Sequence, residues 1–292
     1  MINYIERKEC CICHNKELLF EKKIYDHDTN LGYFNLLYCP KCKMFYTSPY
    51  PDAQTLPELY VNRNSRNFDT NNSLVFKILK QFFAKKYIKN TLKKCALRNN
   101  IVDFGCGNGN FSITISNVAA NSLVTAVDFM KDAPEGLKNK DKIKYIPVDN
   151  FFNSDNKYDI ILLRHVLEHT ENPKTFLSEL YKHLNKSGSL VVEVPNIDNG
   201  LKLWFDKYLP SYYPPYHLVH FTKENITNLM NELGLECVFF KSSMPLMSNI
   251  IANITKQKLN NFHRIIGIIL YPLQRLLCKN KPEVLYFIIK KK

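Results

Sequence analysis

The sequence predicts an α/β protein, a parallel sheet wound on both faces by helices and preceded by a small metal-stabilised ribbon. Three observations lead there. Short apolar strands alternate with helical patterns from residue 100 to residue 196, the first of these strands runs directly into a glycine-rich turn and a helix start, and two Cys-x-x-Cys pairs stand near the N-terminus. A sheet of this kind binds its ligands at the carboxyl ends of the strands.

A chain of 292 residues, 45% hydrophobic and 23% charged, can bury the core of one large domain and a small one. We expect a zinc-binding module over 1–50, a connector and helix over 51–98, and the main domain over 99–292. "MINYIERKECCICHN" has no secretory pattern, and the longest apolar stretch, Ile265 to Leu277, is interrupted by Pro272, Gln274 and Arg275. A cytoplasmic protein is therefore expected. Forty basic against 27 acidic residues give a formal charge of +13, which favours phosphates, nucleic acid or a membrane surface as partners, or reflects scattered lysines alone. No basic run with interleaved aromatics resembles a nucleic-acid module, so nucleic acid is not expected.

Nine cysteines in such a chain favour metal or thiol chemistry over disulfides. Cys10-x-x-Cys13 and Cys39-x-x-Cys42, with 25 residues between the pairs, have the spacing that turns four thiolates toward one tetrahedral ion. The intervening segment alternates apolar and polar residues around a turn at Asn30-Leu31-Gly32, which fits a zinc ribbon of short strands. So small a piece needs the folding energy of a metal, and a closed four-thiolate site makes Zn²⁺ structural. Cys11 should point away from the ion, and His14 is a substitute ligand that four cysteines make unnecessary. Next comes a turn-rich connector in which Tyr60 could fold over a neighbouring site, and then a helical pattern, "SLVFKILKQFFAKKYIKNTLKKCAL".

Ile101 to Phe104 reads as the first strand of the main domain, followed by Gly105-x-Gly107-x-Gly109 and a helix from Asn110. Glycines let a ligand approach the backbone, and the free N–H groups of the first helical turn face it. A dinucleotide fingerprint needs glycine or alanine at position 110, where Asn110 stands. Asp103 precedes the turn, and "SLVTAVDF" makes a second strand ending in Asp128, suited to accept both ribose hydroxyls. "IKYIPVDNFF" is the third strand and Tyr158 to Arg164 the fourth. The helix "KTFLSELYKHLNKSG" and the strand "GSLVVEVPN" follow.

With these motifs in this order, residues 100–196 resemble the class I S-adenosylmethionine-dependent methyltransferases. The resemblance implies a Rossmann-like, doubly wound, seven-stranded sheet whose last strand is antiparallel, with "LECVFFKSS" and "EVLYFIIKK" as the two closing strands. It implies S-adenosylmethionine bound by Asp103, Gly105, Gly107, Gly109, Asp128, Phe129, Asp149, Asn150 and Arg164. "RHVLEHTENP", after the fourth strand, contains His-x-x-Glu-His, the spelling of an inverted zinc-protease motif. Because His165 follows a strand directly, the stretch reads instead as the methyl-transfer edge, with His165 a candidate base or cofactor contact and Pro173 opening the next helix.

"LWFDKYLPSYYPPYHLVHFTKENI" is rich in aromatics and prolines and suits a rigid cover, 198–222, over a substrate pocket. Its second half resembles a segment of the branch that methylates sugars and other small hydroxylated or keto substrates. His217 takes the place of that branch's histidine as a second catalytic candidate, Thr222 should cap the next helix, and His220 reads as packing. Tyr212, Tyr213, Tyr216 and Trp204 are candidates to stack on a sugar ring. A sugar or glycan precursor of cell-envelope polysaccharide, nucleotide-linked or lipid-linked, is the implied acceptor, methylated on oxygen in preference to carbon. RNA or another small metabolite is the alternative. The insertion 244–282 carries a helix, aliphatic nearly all round, that reads as a lid, a dimer contact or a peripheral membrane contact through 262–281, the last at the inner face of the membrane.

Overall fold

The computed structural model describes residues 2–52, 55, 59 and 74–291. Tyr60 and most of the connector between 53 and 73 lie outside them. The N-terminal strands are β1 (Tyr4–Ile5), β2 (Leu19–Tyr25), β3 (Tyr33–Tyr38), β4 (Phe45–Ser48) and β5 (Tyr50–Pro51). The hairpin of β2 and β3 turns through Asn30 (φ 57°) and Gly32 (φ 112°), left-handed positions that asparagine and glycine tolerate best.

The helix α1 (Leu74–Leu92) leads into the main domain. There β6 (Asn100–Phe104), α2 (Asn110–Val118), β7 (Leu123–Asp128), β8 (Ile143–Pro147), α3 (Val148–Phe152), β9 (Tyr158–Arg164), α4 (Pro173–Lys182) and β10 (Leu184–Pro195) alternate. After α5 (Lys202–Phe205), β11 (Val219–His220) and α6 (Lys223–Leu233), the chain forms β12 (Cys237–Phe240), α7 (Met247–Thr255), α8 (Asn261–Leu277) and β13 (Val284–Lys290). Seven strands make one sheet in the order β12-β13-β10-β9-β6-β7-β8, with β13 antiparallel to both neighbours. The sequence predicts this arrangement. Because helices cover both faces, β9 is buried at every position from Tyr158 to Leu163 and apolar from Ile160 to Leu163, its one carboxylate, Asp159, accepting from Asn99 N, Asn100 N and Asn185 Nδ2. Strand order reverses beside β6, so the carboxyl ends of β6 and β9 form the switch point where ligands enter.

Two local features depart from expectation. The helix expected to continue to Gly188 stops at Lys182, because Leu184 pairs with Tyr158 and both bury, while a register shift between Leu184 and Ser189 absorbs the intervening residues. The ribbon is also not self-contained. Its sheet runs β11-β4-β3-β2, and the outer strand β11 comes from the cover segment. One buried cluster accordingly passes from Cys10, Met44 and Tyr46 to Phe104, Leu163 and Phe221.

Candidate active site

The glycine turn leaves β6 with Gly105 at φ 76°, Gly107 at φ 54° and Gly109 at φ 79°. A Cβ on Gly105 would lie 2.5 Å from Val166 Cγ2, whereas one on Gly107 would meet nothing within 4 Å. The turn is thus pinned from below at Gly105 and open at Gly107, the face a ligand needs. Asp128, at the end of β7, accepts hydrogen bonds from Gly107 N (2.7 Å) and Phe129 N (2.9 Å). Burial raises its pKa, which the two amides oppose. Phe129 is 60% exposed beside it. Asp149 and Asn150 stand exposed in the first turn of α3, just beyond β8.

Two residues expected at the cofactor are turned inward. Asp103 is buried and accepts from Ser112 Oγ at 2.5 Å, tying β6 to α2, and burial lifts its pKa to about 6. Arg164 lies between α1 and α2, its guanidinium carbon 4.1 Å from the Phe111 ring centre and 4.9 Å from that of Tyr87, its Nε 3.5 Å from Glu193 Oε1. Both hold the loop's foundations together.

His165 continues β9 by donating its backbone N–H to Glu193 O (2.9 Å) and then turns at φ 55°. Its Nδ1 is 3.3 Å from Glu168 Oε1 and its Nε2 3.5 Å from Glu193 Oε1. Burial disfavours an imidazolium here, but two nearly inaccessible carboxylates outweigh it and raise the pKa to about 9. At neutral pH His165 is therefore held as a cation between two acids. Glu193 correspondingly falls to about 2: burial opposes the shift, and His165 and Arg164 drive it.

His217 is the opposite case. It is buried in the cover segment, Nδ1–H donates to Ser211 O (2.9 Å), and Nε2 is 3.9 Å from Glu168 Oε1. Burial first, then His169 and His220, hold its pKa well below the ordinary value, so the ring is neutral with Nε2 as its acceptor nitrogen. The His169 ring lies edge-on to it at 4.9 Å and anchors through Nδ1–H to Tyr216 O (2.8 Å). Glu168, His169 and His217 each offer a ligand atom within 4.8 Å of the others, a set that can hold a cation.

Thr47, on β4 of the ribbon, holds this histidine in place. Its N–H donates to Leu218 O (3.1 Å), its hydroxyl donates to His217 O (2.6 Å), and the same oxygen accepts from His220 Nε2 (2.8 Å). Leu218 N donates to Glu168 O (2.8 Å), closing the cover onto the turn after β9. His220 therefore serves packing. Thr222 caps α6, accepting from Asn225 N (3.2 Å). Tyr212 and Tyr216 are 3% and 1% exposed, which withdraws them from stacking on an acceptor; Tyr213 lies against Tyr216, and Trp204 is 66% exposed.

Sequence reading missed Glu193 and Thr47. A lone carboxylate inside the apolar run "LVVEVP" was the available sign, since such a charge buries only with a partner. Thr47 gave no sign, because its partners lie about 170 residues away.

The four ribbon cysteines come together. Cys10 Sγ lies 3.3 Å from Cys42 Sγ and 3.5 Å from Cys13 Sγ, and Cys13 Sγ lies 3.6 Å from Cys39 Sγ. A tetrahedral zinc–thiolate site has sulfur–sulfur edges of about 3.8 Å, so the set fits the ion with slight expansion. The hydrogen bond from Cys42 pulls Cys10 down to about 4 despite burial. Cys11 stands outside the set, its Sγ 3.6 Å from Tyr46 Oη, and the exposed His14 is 3.6 Å from Glu9.

A family model described as a methyltransferase domain matches residues 76–238, more than half of the chain. Among curated proteins, the mitochondrial ubiquinone biosynthesis O-methyltransferase of Dictyostelium discoideum is 26% identical over 133 residues, 40% of this chain and 41% of that protein. The ubiquinone biosynthesis O-methyltransferase of Rickettsia typhi is 30% identical over 102 residues, 33% of this chain and 41% of that one. The chain thus spans about two fifths of the curated relatives it matches. Of solved structures, a SAM-dependent methyltransferase from Archaeoglobus fulgidus aligns with TM-score 0.50 at 18% identity, covering 80% of this chain and 99% of that one. The 1,6-didemethyltoxoflavin-N1-methyltransferase of Burkholderia thailandensis aligns with TM-score 0.50 at 14% identity, covering 87% and 98%. These two likenesses show the shared fold.

Proposed function

This chain belongs to the methyltransferase-domain family, and on that premise we propose that it transfers the methyl group of S-adenosylmethionine to a hydroxyl oxygen of a small molecule. The observation that carries this reading is the pairing of an open glycine turn and Asp128 with a neutral buried histidine, His217, at the same sheet edge.

A sulfonium methyl is already activated when the cofactor is bound, so the residues here need only align an acceptor and take its proton. Gly105 to Gly109 offer backbone to the cofactor, Asp128 its ribose hydroxyls, and Asp149 with Asn150 the adenine. His217 Nε2 receives the acceptor's proton as the new carbon–oxygen bond forms and the carbon–sulfur bond breaks, leaving S-adenosylhomocysteine. The imidazolium so formed faces Glu168 at 3.9 Å, a buried carboxylate that steadies it. His165, already protonated, contributes positive charge and shape. The four cysteines hold Zn²⁺ as structure, and through Thr47 that ribbon fixes His217.

The relatives' names support oxygen as the methylated atom. They point to ubiquinone biosynthesis, whereas the glycan precursor rests on the cover segment alone and loses Tyr212 and Tyr216 as stacking surfaces. Extracts of a deletion strain, incubated with this protein and isotopically labelled S-adenosylmethionine, decide between them by mass spectrometry. Label in an envelope sugar supports the glycan acceptor; label in a small non-sugar hydroxyl compound supports the acceptor class of the relatives; label in RNA or in no small molecule overturns the proposal.

A further inference from the structure

The helices α7 and α8 sit on the cover segment. Asn253 Nδ2 donates to Tyr208 O (2.9 Å), and Gln274 Oε1 accepts from Leu246 N and Met247 N (3.0 and 3.1 Å). Gly200 approaches the end of α8 so closely that a Cβ would lie 2.0 Å from Leu277 O. This packing uses one side of α8, where His263, Gly267 and Gln274 are buried.

The other side is apolar and open. Phe262, Ile265, Ile269, Leu273 and Leu276 are 51–69% exposed, and their spacing of three and four residues makes a single stripe along the helix. A second stripe of this kind on an already packed helix marks an interaction surface. Charge identifies its occupant. From Lys241 to Pro282 the sequence contains no Asp or Glu, while Lys256, Lys258, Arg264, Arg275, Lys279 and Lys281 flank the stripe at both ends. Lys281 also pairs with Asp198 at 3.0 Å. An apolar stripe whose own segment carries cations and no acids complements a bilayer surface, which offers an apolar interior beneath anionic headgroups. A helix of 17 residues interrupted by Pro272 lies in the interface plane, and no helix among the described residues is long and apolar enough to cross.

We propose that α8 docks this protein on an anionic membrane surface, with the stripe seated among the acyl chains near the headgroups. Because α7 and α8 pack on the cover segment, docking brings the acceptor side of the site toward the lipid. The docking itself stands apart from the identity of the acceptor and from methyl transfer.

Co-sedimentation of the full chain with vesicles tests it. Binding to phosphatidylcholine vesicles that contain phosphatidylglycerol should exceed binding to phosphatidylcholine alone by about tenfold or more, and should weaken with salt. The double substitution Ile269→Glu with Leu276→Glu should abolish binding, and Arg275→Glu with Lys279→Glu should remove the preference for phosphatidylglycerol. Unchanged S-adenosylmethionine binding by the variants serves as the folding control, with Leu276→Ser as a milder substitute. Equal sedimentation of wild type and the Ile269/Leu276 variant, or none with either vesicle, overturns the proposal. So does a dimer in light scattering that the same substitution dissolves, which assigns the stripe to a second copy.

Discussion

At the scale of single residues the site turns on two histidines with opposite electrostatics. His217 is neutral and presents Nε2 toward Glu168, so His217→Ala should lower transfer by about 10² to 10⁴ while leaving cofactor affinity unchanged. Loss of both in calorimetry would give His217 a structural role instead. His165 is held near 9 against an ordinary 6.5. A raised folded-state value stabilises the protein fully below the unfolded value, and that contribution is lost as pH rises through about 9. By linkage it amounts to roughly 3 kcal/mol. Denaturant midpoints measured from neutral to about pH 10 should fall accordingly, and Glu193→Gln should flatten the fall because it removes one of the two carboxylates that hold the charge. Glu193, depressed to about 2 from 4.5, contributes on the acid side, stability present above the ordinary value and lost as pH drops through about 2.

Among elements, the ribbon and the cover act as one unit, because β11 pairs with β4 and Thr47 holds the carbonyls of His217 and Leu218. Thr47→Val leaves a buried carbonyl and a buried imidazole without their partner, a loss of about 1–3 kcal/mol. Its signature should be a fall in transfer rate larger than any change in cofactor affinity. Cys39→Ser should release the metal, read by elemental analysis, and repeat that pattern. If transfer survived metal loss unchanged, the ribbon would not be positioning His217. The glycine turn and the cysteine cluster were legible because each is a local pattern, a strand flowing into glycines or thiols at fixed spacing, whereas the sheet order followed from the family resemblance. The union of ribbon and cover was not, since a strand of two residues, Val219–His220, carries no periodicity and its partner lies about 170 residues away. A different reason hides the role of Glu168: the spelling His-x-x-Glu-His suggests a metal, while the fold sets the carboxylate beside His165 three residues away and against His217.

Across the whole molecule, the residues we assign to the cofactor, Gly107, Asp128, Asp149 and Asn150, lie on the β6–β8 side of the sheet edge, and His165, Glu168 and Glu193 lie on the β9–β10 side, where Leu218 of the cover bonds to Glu168. This division predicts that cofactor binding and proton transfer fail separately on mutation. The most direct measurement is calorimetric titration of S-adenosylmethionine into wild type, Asp128→Ala and His217→Ala. The arrangement predicts saturable binding to the wild type, its loss in Asp128→Ala, where the ribose and Gly107 both lose their carboxylate, and its retention in His217→Ala. No heat with the wild type, or undiminished binding by Asp128→Ala, would contradict it.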